Sequence, residues 1–135
     1  MYSFFSDKEK LIFLCGVFEG EGNFGYYKHG NNTRQIELSV TMTDKDVIDK
    51  FLEYFNKGYI CSPKPRKTYY KNLYKWKATG LEALKIINMM IPYLGKRRRE
   101  KYYGMVQLIR DGGKDRSPYI LQPSKDETGD VRCSS

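Results

Sequence analysis

Apolar and polar positions recur along this chain with two different periods, and each change of period marks an element. "SDKEKLIFLCGVFEG" opens on Ser6 with Glu9 three residues on, the spacing of a capping box at a helix start. Its middle is almost continuously apolar, wider than the stripe of a surface helix. Such a helix is buried on more than one side, against its own domain and against something else. "GNFGYYKHGNNTRQIELSVTM" predicts two strands turning at Gly30-Asn31-Asn32. Gln35, Glu37, Ser39 and Thr41 alternate there with Ile36, Leu38, Val40 and Met42, so one face is polar and the other buried. "TDKDVIDKFLEYFN" predicts a second helix, capped by Thr43 or Asp44, with Val47, Ile48, Phe51, Leu52 and Phe55 at helical spacing.

"KGYICSPKPRKTYYKNLYKWKATG" predicts another strand pair around a Pro- and Lys-rich loop, with Tyr74, Trp76 and Ala78 inward and Lys75, Lys77 and Thr79 outward. "LEALKIINMMIPYL" is a third helix ended by Pro92, and "GKRRREKYYGMVQLIRDGG" a fourth stopped by Gly112 and Gly113. The expected order is α-β-β-α-β-β-α-α, an α+β fold. A pseudo-symmetric antiparallel sheet carries helices over its apolar face and leaves a polar face open to a ligand. Residues 1–112 form one domain in this reading. Residues 113–135 are polar with little period and predict an extended or mobile tail.

Charge changes the picture of the polar face. The chain has 135 residues, a net charge of +8 and twelve tyrosines interleaved with lysine and arginine. A soluble basic surface and a polyanion partner both account for the charge. The tyrosines, which stack on bases or bond phosphate, tip the reading toward nucleic acid. Cys15, Cys61 and Cys133 form no CxxC and read as reduced thiols of an intracellular protein. A single histidine, His29, argues against a His-based metal site or a Ser-His triad. No apolar run reaches the roughly 20 residues of a membrane span, and "MYSFFSDKEK" lacks signal-peptide character.

Gly20 to Gly25, "GEGNFG", spells the GxGxxG of a dinucleotide turn. That turn needs a strand before it and a helix after it, so that a helix N-terminus faces phosphate. Here a helix precedes the glycines and a strand follows. The site is a helix C-terminus, partly negative, and Glu19 and Glu21 add to that. It repels phosphate and no nucleotide cofactor is expected, but a divalent cation is welcome. Gly16 and Gly20 share a helix face, and small residues there let two backbones approach closely. Packing within one chain is one use of this. Pairing with a second copy is the other, and twofold symmetry would then bring two Glu21 side chains together. Hard cations such as Mg²⁺ take carboxylate and phosphate oxygens alike.

The run Leu14-Cys15-Gly16-Val17-Phe18-Glu19-Gly20-Glu21-Gly22, followed by Phe24, resembles the motif of the LAGLIDADG homing endonucleases. The likeness extends through the order of elements over about residues 5–112 and includes "IPYLGKRRRE". It implies an αββαββα saddle with the first helix at the interface of two domains and the sheets in the major groove of double-stranded DNA. One motif implies a homodimer on a long, near-palindromic site, with Leu14, Gly16, Val17 and Gly20 at the interface. It implies a site-specific endonuclease of intron- or intein-type homing that uses Mg²⁺, with Mn²⁺ as a substitute and Ca²⁺ binding without cleavage. Such a protein works in an organelle or in phage or bacterial cytoplasm. A catalytically idle DNA binder or intron-RNA maturase of the same fold is the alternative. The family's metal-binding acid falls on Glu21, where many members have Asp; Glu19 supports the helix end or shares in catalysis. A family lysine that takes part in catalysis by ordering water or offsetting negative charge matches Arg97, with Lys96 adjacent, and a polar residue that ends the second strand is Met42 here, beside Thr41. Lys96, Arg97, Arg98 and Arg99 open a helix, where the dipole disfavours cations, and so suit phosphate. Asn23, Gly25, Tyr27, His29, Arg34, Gln35, Glu37, Ser39, Thr41, Lys75, Lys77 and Arg98 are the expected DNA contacts.

Overall fold

The computed structural model describes residues 2–28, 33–63 and 72–111. The expected turn at Gly30-Asn31-Asn32, His29, the Pro- and Lys-rich loop, Gly112, Gly113 and the 113–135 tail lie outside the described residues. The elements run α1 (Asp7–Glu21), β1 (Gly22–Lys28), β2 (Arg34–Met42), α2 (Lys45–Phe55), β3 (Tyr59–Cys61), β4 (Tyr74–Thr79), α3 (Gly80–Met90) and α4 (Lys96–Arg110). This is the expected α+β order.

Local chemistry fixes the ends. Ser6 accepts from the Glu9 amide and Glu9 accepts from the Ser6 amide, which satisfies two otherwise orphaned donors of α1. α2 stops at Asn56 in the left-handed conformation, which Asn tolerates. Pro92 lies in a 3-10 turn, Ile91–Tyr93, that separates α3 from α4.

The strands form one antiparallel sheet in the order β1-β2-β4-β3. Phe24, Ile36, Leu38, Val40, Trp76 and Ala78 line its apolar face. Against it pack Leu14, Cys15 and Phe18 from α1, Ile48 and Phe51 from α2, Ala83, Ile86 and Ile87 from α3, and Met105 from α4. All are nearly or wholly buried, as two packed layers require. Cys15 is a free, buried thiol, which burial pushes up to about 12. Cys61 ends the edge strand and is only partly buried. Cys133 is outside the described residues. No described helix is long and apolar enough to cross a membrane.

Gly22 joins α1 to β1 with an ordinary φ of −90°, so backbone freedom does not explain it. A Cβ there would lie 2.1 Å from Cδ1 of Phe18, a fully buried ring stacked on Phe24 at 6.1 Å. Only hydrogen fits. Gly22→Ala overpacks this contact and is expected to cost about 1–3 kcal/mol. A urea titration should show it as a lower midpoint at unchanged slope.

Candidate nucleic-acid interface and acidic site

The polar face of the sheet is built by register. Asn23 pairs with Ser39 and Gly25 with Glu37; Ser39 then pairs with Lys77 and Thr41 with Lys75. Side chains at alternate positions share a face, so these residues converge. With Glu21 and Tyr27, all of them except Gly25 line a cavity of about 170 Å³. Gln35 sits on the same face, opposite Tyr27.

Gly25 makes room there for a neighbour. A Cβ on it would lie 2.6 Å from Cζ of Tyr27. The Tyr27 ring therefore folds back along its own strand, and its hydroxyl accepts from Nδ2 of Asn23 at 3.1 Å. Tyr27 is on the expected face but is 5% exposed and does not project from it. Lys75 and Lys77, expected to extend into solvent, are 6% and 4% exposed. Nζ of Lys77 lies 3.3 Å from Oε1 of Glu37. The lysines lie inward because a carboxylate and several hydroxyls share their face.

The two motif acids have separate surroundings. Oε1 of Glu19 accepts from the Gly95 amide at 2.7 Å, and Gly95 is the N-cap of α4. Arg98 donates from Nη2 to the Glu19 carbonyl at 3.1 Å. Its Nε lies 3.4 Å from Oε2 of Glu19, an ion-pair distance without hydrogen-bond alignment. Glu19 thus ties the end of α1 to the start of α4. Glu21 is exposed at the last turn of α1 and has no hydrogen bond or ion pair among the described residues. An acid at a helix C-terminus is electrostatically misplaced. For Glu19 the α4 cap and Arg98 offset that cost; nothing in this chain's described part offsets it for Glu21.

Three expected contacts face elsewhere. Arg34 shares the parity of Ile36 and Leu38, so it stands on the helix side of the sheet, 5.9 Å from the Tyr26 ring centre. Arg98 is 7% exposed, buried against Glu19 and over the Phe18 ring. Burial presses its guanidinium below the usual value and Glu19 opposes the shift. It braces the fold rather than facing a ligand. Leu14 is 0% exposed inside one chain, because its helix face is shared with Phe18. The outward stripe of α1 is Ile12, Gly16 and Gly20, all exposed, with Val17 partly buried alongside. A Cβ on Gly16 or Gly20 would meet nothing within 4 Å. Met42 has core-side parity and packs on the core, so Thr41 is the residue that the end of β2 presents to the cavity. Lys96 and Arg97 are exposed at the start of α4.

Lys101 approaches the β1 edge of the cavity from α4. Its Nζ reaches Oδ1 of Asn23 at 3.5 Å and passes over the Phe24 ring at 5.0 Å. The signal was its spacing: Arg98, Lys101, Met105 and Leu108 follow one another at three and four residues, on one helix face.

No protein-family model and no curated protein matches the sequence. Solved structures do match in three dimensions. Homing endonuclease I-CvuI, in complex with DNA in the presence of Mg, superposes with a TM-score of 0.60 at 17% identity, over 77% of this chain and 68% of that one. The fold is that of the LAGLIDADG homing endonucleases. A second I-CvuI complex, with its target and Ca, covers 94% of this chain and 93% of that one, at a TM-score of 0.56 and 13% identity. LAGLIDADG meganuclease I-AabMI, bound to uncleaved DNA, gives a TM-score of 0.58 at 19% identity over 76% of this chain. The archaeal intron-encoded I-Vdi141I, complexed with DNA, gives 0.55 at 17% over 80%. This chain spans 77% of I-Vdi141I but only 37% of I-AabMI.

Proposed function

We propose that this protein is a homodimeric, site-specific DNA endonuclease that hydrolyses phosphodiesters at a long, near-palindromic target. The observation that carries the reading is Glu21: a carboxylate exposed at the tip of a helix whose outward stripe, Ile12-Gly16-Gly20, is open to close approach. Pairing that stripe with its copy joins two chains by an isologous contact and sets the two acids side by side.

The donor set suits a hard divalent cation. Glu21 offers carboxylate oxygens, and among the described residues there is no group of three or more His, Cys, Asp or Glu that could hold an ion. A second Glu21 and a DNA phosphate would add oxygens of the same kind. Glu21 would hold Mg²⁺ or Mn²⁺, and a bound ion supplies Lewis acidity toward phosphate and a more acidic water. The chain's own groups position the duplex: the sheet's polar face meets base edges, and Lys96 and Arg97 neutralise backbone charge.

The test is incubation of the protein with a randomised duplex library and Mg²⁺, followed by sequencing of new ends. Staggered cuts with short 3′ overhangs around one near-palindromic consensus are expected. Sedimentation should give a dimer on that DNA. Enrichment of a bound sequence that is never cut would instead identify an idle DNA binder, and a monomer on DNA would sink the paired-acid arrangement.

A further inference from the structure

Glu37 and Lys77 occupy the middle of the polar face on neighbouring strands. Glu37 faces Thr79 across the ladder and Lys77 faces Ser39, so the two are diagonal neighbours. Their side chains are 16% and 5% exposed, with Nζ and Oε1 3.3 Å apart. Withdrawing both charges from water is costly, and a lysine on a merely solvated face keeps its ammonium in water instead. Here the ammonium turns to a carboxylate on the cavity wall, beside Ser39, Thr41 and Lys75.

We infer that, on the DNA-binding function proposed above, Glu37 and Lys77 act as one unit that reads a single G·C base pair in each half-site. An ammonium only donates and a carboxylate only accepts. In the major groove a G·C pair presents N7 and O6 as adjacent acceptors and then the N4 amine as a donor. Drawn inward in the free protein, the pair turns out together on the duplex: Lys77 bridges the two acceptors and Glu37 takes the amine. An A·T pair sets its donor between two acceptors and ends in a methyl group, so it leaves the ammonium half-paired and puts carbon against the carboxylate. The ion pair also keeps Lys77 from phosphate, so this lysine adds selectivity without adding sequence-independent affinity.

Three proteins test this by selection on a randomised duplex pool: wild type, the neutral double variant Glu37→Gln with Lys77→Met, and the exchanged variant Glu37→Lys with Lys77→Glu. The wild-type consensus is expected to hold G·C at one position per half-site. The neutral variant should lose roughly tenfold to hundredfold discrimination at that position alone. Its salt slope on non-specific duplex should stay unchanged. The exchanged variant should prefer the same pair with its strands reversed; if it does not fold, the neutral variant decides. An unaltered consensus in the neutral variant overturns the inference, as does a salt slope that falls by about 1, the mark of a lost phosphate contact. Should wild type enrich no sequence, the DNA-binding reading falls with it; a wild-type consensus untouched by the substitutions sinks the base reader alone.

Discussion

Glu21→Gln is expected to reduce cleavage by roughly a thousandfold while DNA affinity holds or rises. The substitution keeps the shape of the side chain and removes the anionic oxygens that a hard cation needs. A bound ion is worth several kcal/mol of charge stabilisation in a phosphodiester transition state, and each 1.36 kcal/mol is tenfold in rate. In the proposed arrangement affinity holds, because removing an acid beside the DNA backbone would take away repulsion rather than a contact. Stability supplies an independent check. Glu21 is exposed at the C-terminal end of α1 with no partner among the described residues, so its charge opposes the helix dipole, and the Gln variant should melt no lower than wild type. Glu21→Asp, which keeps the carboxylate, should retain cutting. Glu19→Gln should behave in the opposite way. It weakens the 2.7 Å bond to the Gly95 amide and the pairing with Arg98, so it should cost about 1 kcal/mol, as lost helix caps do, with little effect on the cleavage step. If Glu19→Gln stops cleavage and Glu21→Gln does not, the assignment of the two acids is reversed.

The parts of this fold that a reader of the sequence recovers are those where period and chemistry agree. Ser6 with Glu9 announces α1, and the alternation from Gln35 to Met42 announces β2 and its two faces. The helix-then-strand order around GEGNFG is likewise as expected. Errors arise where residue type outweighs position. Arg34 suggested DNA because it is cationic, yet its parity with Ile36 and Leu38 puts it on the helix side. Arg98 lies on the same α4 stripe as Met105 and Leu108 and is buried with them. That stripe also carries Lys101 to Asn23. On α1 the apolar residues run nearly all round, so hydropathy did not separate the core side from the outward side. Ile12 is exposed there and Leu14 is buried. The Glu37–Lys77 pair depends on how β2 and β4 align, a long-range register that no local pattern encodes.

Trp76→Ala is expected to cost about 3–5 kcal/mol, a large share of the roughly 5–15 kcal/mol by which a domain is stable. Trp76 is fully buried at the centre of β4. Its ring stacks on Phe51 at 5.1 Å and on Phe55 at 5.6 Å, which fastens α2 to the sheet. Its Nε1 donates to the Lys57 carbonyl at 2.9 Å, so truncation also strands an acceptor in the segment between α2 and β3. Trp76→Phe keeps much of the stack and loses the hydrogen bond; its cost should be clearly smaller, which separates packing from polar loss. The functional consequence follows from alternation along β4: Lys75 and Lys77 flank Trp76 and point to the opposite face. A cavity beneath the strand loosens the backbone that aims both lysines. At a temperature where Trp76→Ala is still folded, sequence discrimination should therefore fall while salt-dependent, non-specific affinity persists. Denaturant unfolding followed by aromatic fluorescence of the Phe variant and by circular dichroism of the Ala variant measures the first effect, and binding to matched and mismatched duplexes measures the second. A Trp76→Ala protein within 1 kcal/mol of wild type would mean that this ring does not hold α2 to the sheet.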